Sequence, residues 1–146
     1  MRLGLNKTRT MNPFTGSWAA NLEKSRRHEN HQFASATMTF EVTDDVVSMA
    51  YTGVNAAGKV ESSALVFHPD GKEHPISPQA PGVMMVSTWE GTHRLNTEAR
   101  KGDAVLGRGS YEVSADNEVL TATMAGIDAS GAAFEQVIVF DRQQRP

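Results

Sequence analysis

Apolar and polar residues alternate along most of this chain. From Phe33 to Thr43, Ala34, Ala36, Met38, Phe40 and Val42 share one face, and Ser35, Thr37, Thr39 and Glu41 share the other. A period of two held over such a length is the signature of a strand with one buried face. The pattern recurs over Val46–Val54, Lys59–His68, Val83–Trp89, His93–Arg100, Ala104–Ser114, Glu118–Gly126 and Ala132–Arg142, with a shorter first segment over Phe14–Ala20. Turn signals separate the segments: Asp44-Asp45, Asn55 to Gly58, Pro69-Asp70-Gly71-Lys72, Glu90-Gly91-Thr92, Lys101-Gly102-Asp103, Ala115-Asp116-Asn117 and Asp128 to Gly131. These carry the Gly, Pro, Asn and Asp residues that tight turns require. Residues 75–82, with Pro75, Pro78, Pro81 and Gly82, read as a loop between strands.

About ten strands at a spacing of roughly 10–13 residues indicate an all-β sandwich or barrel. Sequential hairpins without a long crossover favour an antiparallel up-and-down meander, which closes on itself to remove its free edges. Gly107 and Gly109 within one strand suit the kinks of a small barrel. After the first strand the character changes. Asn21 as cap, Glu23 in the first turn and Lys24 predict a helix of one or two turns, fading into Arg26-Arg27-His28-Glu29-Asn30.

The 146 residues suffice for one domain with a sizeable core. Residues 1–12 read as a flexible arm and 13–143 as the single domain, with Met11 an alternative start to Met1. The net charge of −3, with scattered Lys and Arg, argues against nucleic acid as a partner. No apolar run approaches the ~18 residues of a membrane span. The absence of cysteine excludes thiol catalysis, disulfides and thiolate metal sites. The polar, basic N-terminus lacks the apolar core of a secretory signal, so a cytoplasmic location is expected, or a secreted one if a leader precedes this sequence.

Gly16-Ser17-Trp18 followed by Asn21 and Lys24-Ser25 resembles the opening of small bacterial lipocalin-like proteins. The resemblance continues through Asp70-Gly71-Lys72-Glu73-His74-Pro75. It is clearest from Ser114-Ala115-Asp116 through Leu120-Thr121-Ala122-Thr123, Gly126 and Gly131 to Val137, Val139 and Gln143. It implies a calycin-type β-barrel. It also implies that Gly16 and Trp18 close one barrel end, with Arg142 of the last strand stacked on the indole. Asn117 stands where such turns often carry Gly, a place that Asn tolerates in the left-handed region. The resemblance fixes no activity, because these barrels include carriers of small apolar molecules and a minority of enzymes.

Strand parity sorts the candidate site residues, provided that no bulge reverses it. The inward set comprises Met38 and Phe40, then Val47, Met49 and Tyr51, then Leu65 and Phe67. It continues with His93, Leu95, Thr97 and Ala99, with Tyr111 and Val113, and with Leu120 and Met124. In the last strand Phe134, Gln136, Ile138, Phe140 and Arg142 point inward. An apolar wall with sparse polar groups (Tyr51, His93, Tyr111, Gln136) is how pockets orient a small hydrophobic or aromatic ligand. The methionines suit an adaptable lining. The expected mouth lies near the Pro75–Gly82 loop and the Trp89–His93 turn, where Trp89 stacks on the ligand or anchors the loop.

Two other readings stand beside this one. An enzyme would use the same lumen for proton transfer (isomerase, cyclase or lyase), with His93 as base and Tyr51 or Tyr111 as acid or oxyanion donor. Alternatively, the interior is filled and the barrel works through its surface, for instance as a homodimer. No cofactor and no metal are expected. His68 and His74 flank a tight turn whose simplest register points their rings to opposite faces, while His28 and His31 sit where the expected helix frays. Glu98 and Glu112 share the outward face with Arg94, Arg100 and Arg108, which reads as a surface ion-pair lattice. No Gly-x-Ser-x-Gly, phosphate loop or His-Glu-x-x-His is present.

Overall fold

A computed structural model describes residues 12–26, 33–44, 46–76, 81–127 and 131–143. It contains ten strands: β1 (Gly16–Arg26), β2 (Phe33–Val42), β3 (Val47–Asn55), β4 (Val60–Phe67), β5 (His74–Pro75), β6 (Val83–Glu90), β7 (Arg94–Lys101), β8 (Ala104–Val113), β9 (Val119–Ile127) and β10 (Ala133–Arg142). All pairings are antiparallel, in the order β4-β3-β2-β1-β10-β9-β8-β7-β6-β5. The meander therefore curls until its first and last strands pair, with Trp18 opposite Arg142. The ladder is interrupted once: β4 and β5 are its two ends and do not pair with each other.

The helix expected after the first strand is replaced by strand as far as Arg26, and residues 27–30 lie outside those described. The reason is local. Asn21 makes the bond that suggested a helix cap, since its Oδ1 accepts from the Lys24 amide at 3.3 Å. The segment it starts is a bulge, however. The Ser25 hydroxyl donates to the Asn21 carbonyl (2.7 Å) and accepts from the Val139 amide (2.9 Å). Pairing with β10 then resumes at Arg26, opposite Val137. An Asx-type side-chain bond serves either a cap or a kink, and the neighbouring strand selects the kink. Of the expected N-terminal arm, only Asn12 belongs to the described residues.

The apolar face of every long strand points inward, and the core lies at one end of the barrel. Its fully covered side chains include Phe14, Trp18, Phe40, Phe67, Leu95 and Leu120. The β2–β3, β4–β5, β6–β7 and β8–β9 connections gather at that end. The β3–β4, β5–β6, β7–β8 and β9–β10 connections gather at the other.

Candidate functional site

The covered end is a built plug. Arg142 places its guanidinium carbon 4.1 Å from the Trp18 ring centroid. It donates to the carbonyls of Asn117 (2.7 Å), Thr15 (2.9 Å) and Pro13 (2.5 Å). Trp18 Nε1 donates to the Phe14 carbonyl at 3.0 Å. Phe14 packs on Phe40 and Trp89, at centroid distances of 5.6 and 5.4 Å. One layer further in, the Tyr111 ring meets both Phe40 and Phe67 at 5.8 Å. Burial pushes the Tyr111 phenol up to about 12. These side chains form the floor of the barrel.

Above the floor the inward face thins out. Along one cross-strand row lie Ser87, Thr97, Gly109, Met124 and Gln136, each paired with the next. Along the next row toward the far end lie Met85, Ala99, Gly107, Gly126 and Phe134. Glycine at Gly107, Gly109 and Gly126 thins the β8–β9 wall, so that Met124 and Phe134 lie over backbone at these positions. A Cβ on Gly109 would meet the Met124 sulfur at 3.1 Å, and one on Gly126 the Phe134 ring at 3.4 Å. Relative exposure rises along the inward face, from 0% at Leu95 and 5% at Tyr111 to 36% at Met124. Ser87 Oγ is buried without a hydrogen-bond partner.

On the facing wall, Met49 pairs with Leu65, Tyr51 with Ser63 and Gly53 with Glu61. The Tyr51 side chain lies along Gly53, where a Cβ would come within 3 Å of its hydroxyl and ring. Partial burial, and then the nearby Glu61 carboxylate, raise the Tyr51 phenol above its ordinary value. Glu61 Oε2 accepts from Asn55 Nδ2 at 2.9 Å.

Of the residues the sequence singles out, Met38, Phe40, Met49, Phe67, Tyr111, Phe140 and Ile138 are buried or half-buried members of the inward face. Tyr51, Met124, Phe134 and Gln136 line the thinner part of the wall. The three residues considered for proton transfer are not assembled. His93 follows the β6–β7 turn at the plug end; its Nε2 donates to Asn117 Oδ1 (2.9 Å) and its Nδ1 shares a hydrogen bond with Thr92 Oγ1 (2.7 Å). Tyr111 is in the floor and Tyr51 faces the opposite end. The Trp89–His93 turn, where the mouth was expected, lies at the same end as the plug; Trp89 packs on Phe14 there, and a surface cavity beside it is lined by Pro13, Trp89, Thr92, His93 and Asn117. The described flanks of the Pro75–Gly82 loop, Pro75-Ile76 and Pro81-Gly82, are at the far end.

His68 and His74, expected on opposite faces, are stacked with centroids 4.3 Å apart. Only His74 and Pro75 pair with β6, so no tight hairpin joins β4 to β5. His74 Nε2 donates to both Asp70 oxygens (2.9 and 3.1 Å). Among the described residues, no three His, Asp or Glu side chains are grouped to hold a metal ion. The ion-pair lattice is on the outer face. Glu98 accepts from Arg100 (2.5 Å) and Arg108 (2.9 Å), which hold its carboxyl below the usual range. Arg94 lies within 3.7 Å of Glu90 and 3.5 Å of Glu112. Ser87, Met85, Ser63 and Glu61 were not singled out by sequence; the alternation of Met85, Ser87 and Trp89 was the available signal.

No protein-family model matches the chain, and no curated protein matches it. Solved structures do. Zebrafish ileal bile acid-binding protein, solved with cholic acid, has a TM-score of 0.53 at 14% identity, covering 90% of this chain and 99% of that one. Rv2717c from M. tuberculosis has a TM-score of 0.53 at 17% identity, covering 90% and 94%. The fold is a calycin-type barrel. Its ladder is open between β4 and β5. Among the described residues of this barrel, no helix is long and apolar enough to cross a membrane.

Proposed function

We propose that this calycin-type barrel binds a small apolar or aromatic molecule in its lumen, above the Tyr111 floor and admitted from the end opposite the Trp18–Arg142 plug. One observation carries the reading: Met124 faces inward over Gly109 yet remains 36% exposed. A filled barrel would cover that side chain. Met38, Met49, Met85 and Met124 supply an adaptable apolar lining, and Phe134 an aromatic one. Thr97 and Gln136, on either side of the Gly109–Met124 pair, are the nearest polar contacts. Phe40, Phe67, Tyr111 and Ile138 support the ligand from below, while Trp89 and His93 belong to the plug end and take no part.

The test is titration with N-phenyl-1-naphthylamine, a neutral dye that brightens in apolar surroundings. Saturable binding at one dye per chain is expected. Met124→Trp, which fills the space over Gly109, lowers the affinity by at least about tenfold, equivalent to ~1.4 kcal/mol. Thr123→Trp, on the outer face, leaves it within about twofold. A folded wild-type protein without saturable binding overturns the proposal, as does equal binding by the Met124 variant.

A further inference from the structure

Resting on that reading, we infer that the lumen selects amphiphiles by head group: it takes an apolar body carrying a cationic or hydrogen-donating head, and it disfavours anions. The inward wall carries little charge. At the paired inward positions of the described residues, the basic groups are Arg142, His74 and Lys101. Arg142 is engaged with Trp18 and three carbonyls in the plug. His74 donates to Asp70 and stacks on His68. Lys101 is exposed in the outermost pair of β6 and β7, at the rim. A carboxylate or sulfonate drawn into the barrel would lose its water and, among the described residues, meet no cation at these inward positions other than those three, which is costly.

The opposite holds for a cation. Glu61 has the inward parity of β4 and is exposed at the rim beside Ser63; among the described residues, Asn55 donates to one oxygen of its carboxylate. The Tyr51 ring lies next to it, close enough for the Glu61 charge to act on the phenol. A carboxylate, a hydroxyl and an aromatic ring around one spot suit an ammonium group, by ion pairing, hydrogen bonding and cation–π attraction. From there the methionine-lined wall leads inward to the floor, so the body of the ligand runs from Glu61 toward Met49 and Met124.

The test displaces N-phenyl-1-naphthylamine with three molecules of one chain length: dodecylamine, dodecanol and dodecanoate, each below its micelle concentration. The expected order is amine, then alcohol, then carboxylate, with amine and carboxylate separated by about tenfold or more. Glu61→Gln brings the amine to within about twofold of the alcohol. Glu41→Gln, an exposed carboxylate on the outer face, leaves the order intact. Thermal unfolding of both variants confirms that they fold. Dodecanoate binding as well as the amine, or an unchanged preference in Glu61→Gln, overturns the inference while leaving the lumen as a binding site. Failure of the dye and of all three amphiphiles to bind removes the binding-site reading and the inference together.

Discussion

Arg142 is the side chain on which the plug turns. Its guanidinium serves the carbonyls of Asn117, Thr15 and Pro13 and covers the Trp18 ring. Arg142→Ala removes all of these contacts. Three bonds from a charged donor, each discounted to about 1 kcal/mol for solvent access, and a cation–π contact of about 0.5–1 kcal/mol sum to about 3–4 kcal/mol. For a chain of this length each kcal/mol lowers Tm by about 3 °C, so a loss of roughly 10 °C is expected. Arg142→Lys keeps the charge but replaces a planar fork by a single ammonium, and recovers less than about half of the loss. Thermal and urea unfolding of the three proteins measure this. Dye affinity of the lysine variant at 25 °C stays within about twofold of wild type, because plug and mouth are at opposite ends. An alanine variant within about 1 kcal/mol of wild type, or full recovery by lysine, refutes the role given to the guanidinium fork.

Ser87→Ala removes a buried hydroxyl that has no hydrogen-bond partner; it is expected to stabilise the protein by about 1 kcal/mol, and a lower Tm would show that the hydroxyl is satisfied in solution. Tyr111 links stability to alkaline pH. Its phenol is raised from 10.0 to about 12, so its contribution is complete below pH 10 and is lost as pH rises toward 12, by roughly 3 kcal/mol. The difference between wild type and Tyr111→Phe in urea unfolding at pH 9–12 isolates this term; parallel pH profiles would contradict it.

Meander order and the inward sets of β7 and β10 were legible because alternation survives wherever pairing is regular. The register Leu95–Tyr111–Ala122–Ile138 is one example. Two features were hidden by side-chain bonds with two structural uses. Asn21 bonds the Lys24 amide as a helix cap would, but β10 captures Ser25 and keeps the chain in the sheet. The Pro69–Lys72 turn signal is real, with Asp70 Oδ1 accepting from the Lys72 amide at 2.8 Å, yet it closes no hairpin. The chain instead leaves β4 and attaches to β6 through the Gly71 amide and the Ser87 carbonyl at 3.0 Å. That detour brings His68 and His74 together. The position of the mouth was not legible either, since which turns share an end depends on the count of strands. Adding β5 to the series puts the Trp89–His93 turn with the plug.

The most direct test of the central claim uses the methionine methyl groups as reporters. Met84 and Met85 are adjacent but face opposite sides of β6, while Met49 and Met124 face inward from opposite walls. In a methyl-labelled NMR titration with N-phenyl-1-naphthylamine, ring-current shifts are expected at Met49, Met85 and Met124, with Met84 unmoved. Shifts confined to Met84, or none at saturating dye, would contradict a ligand held in the lumen.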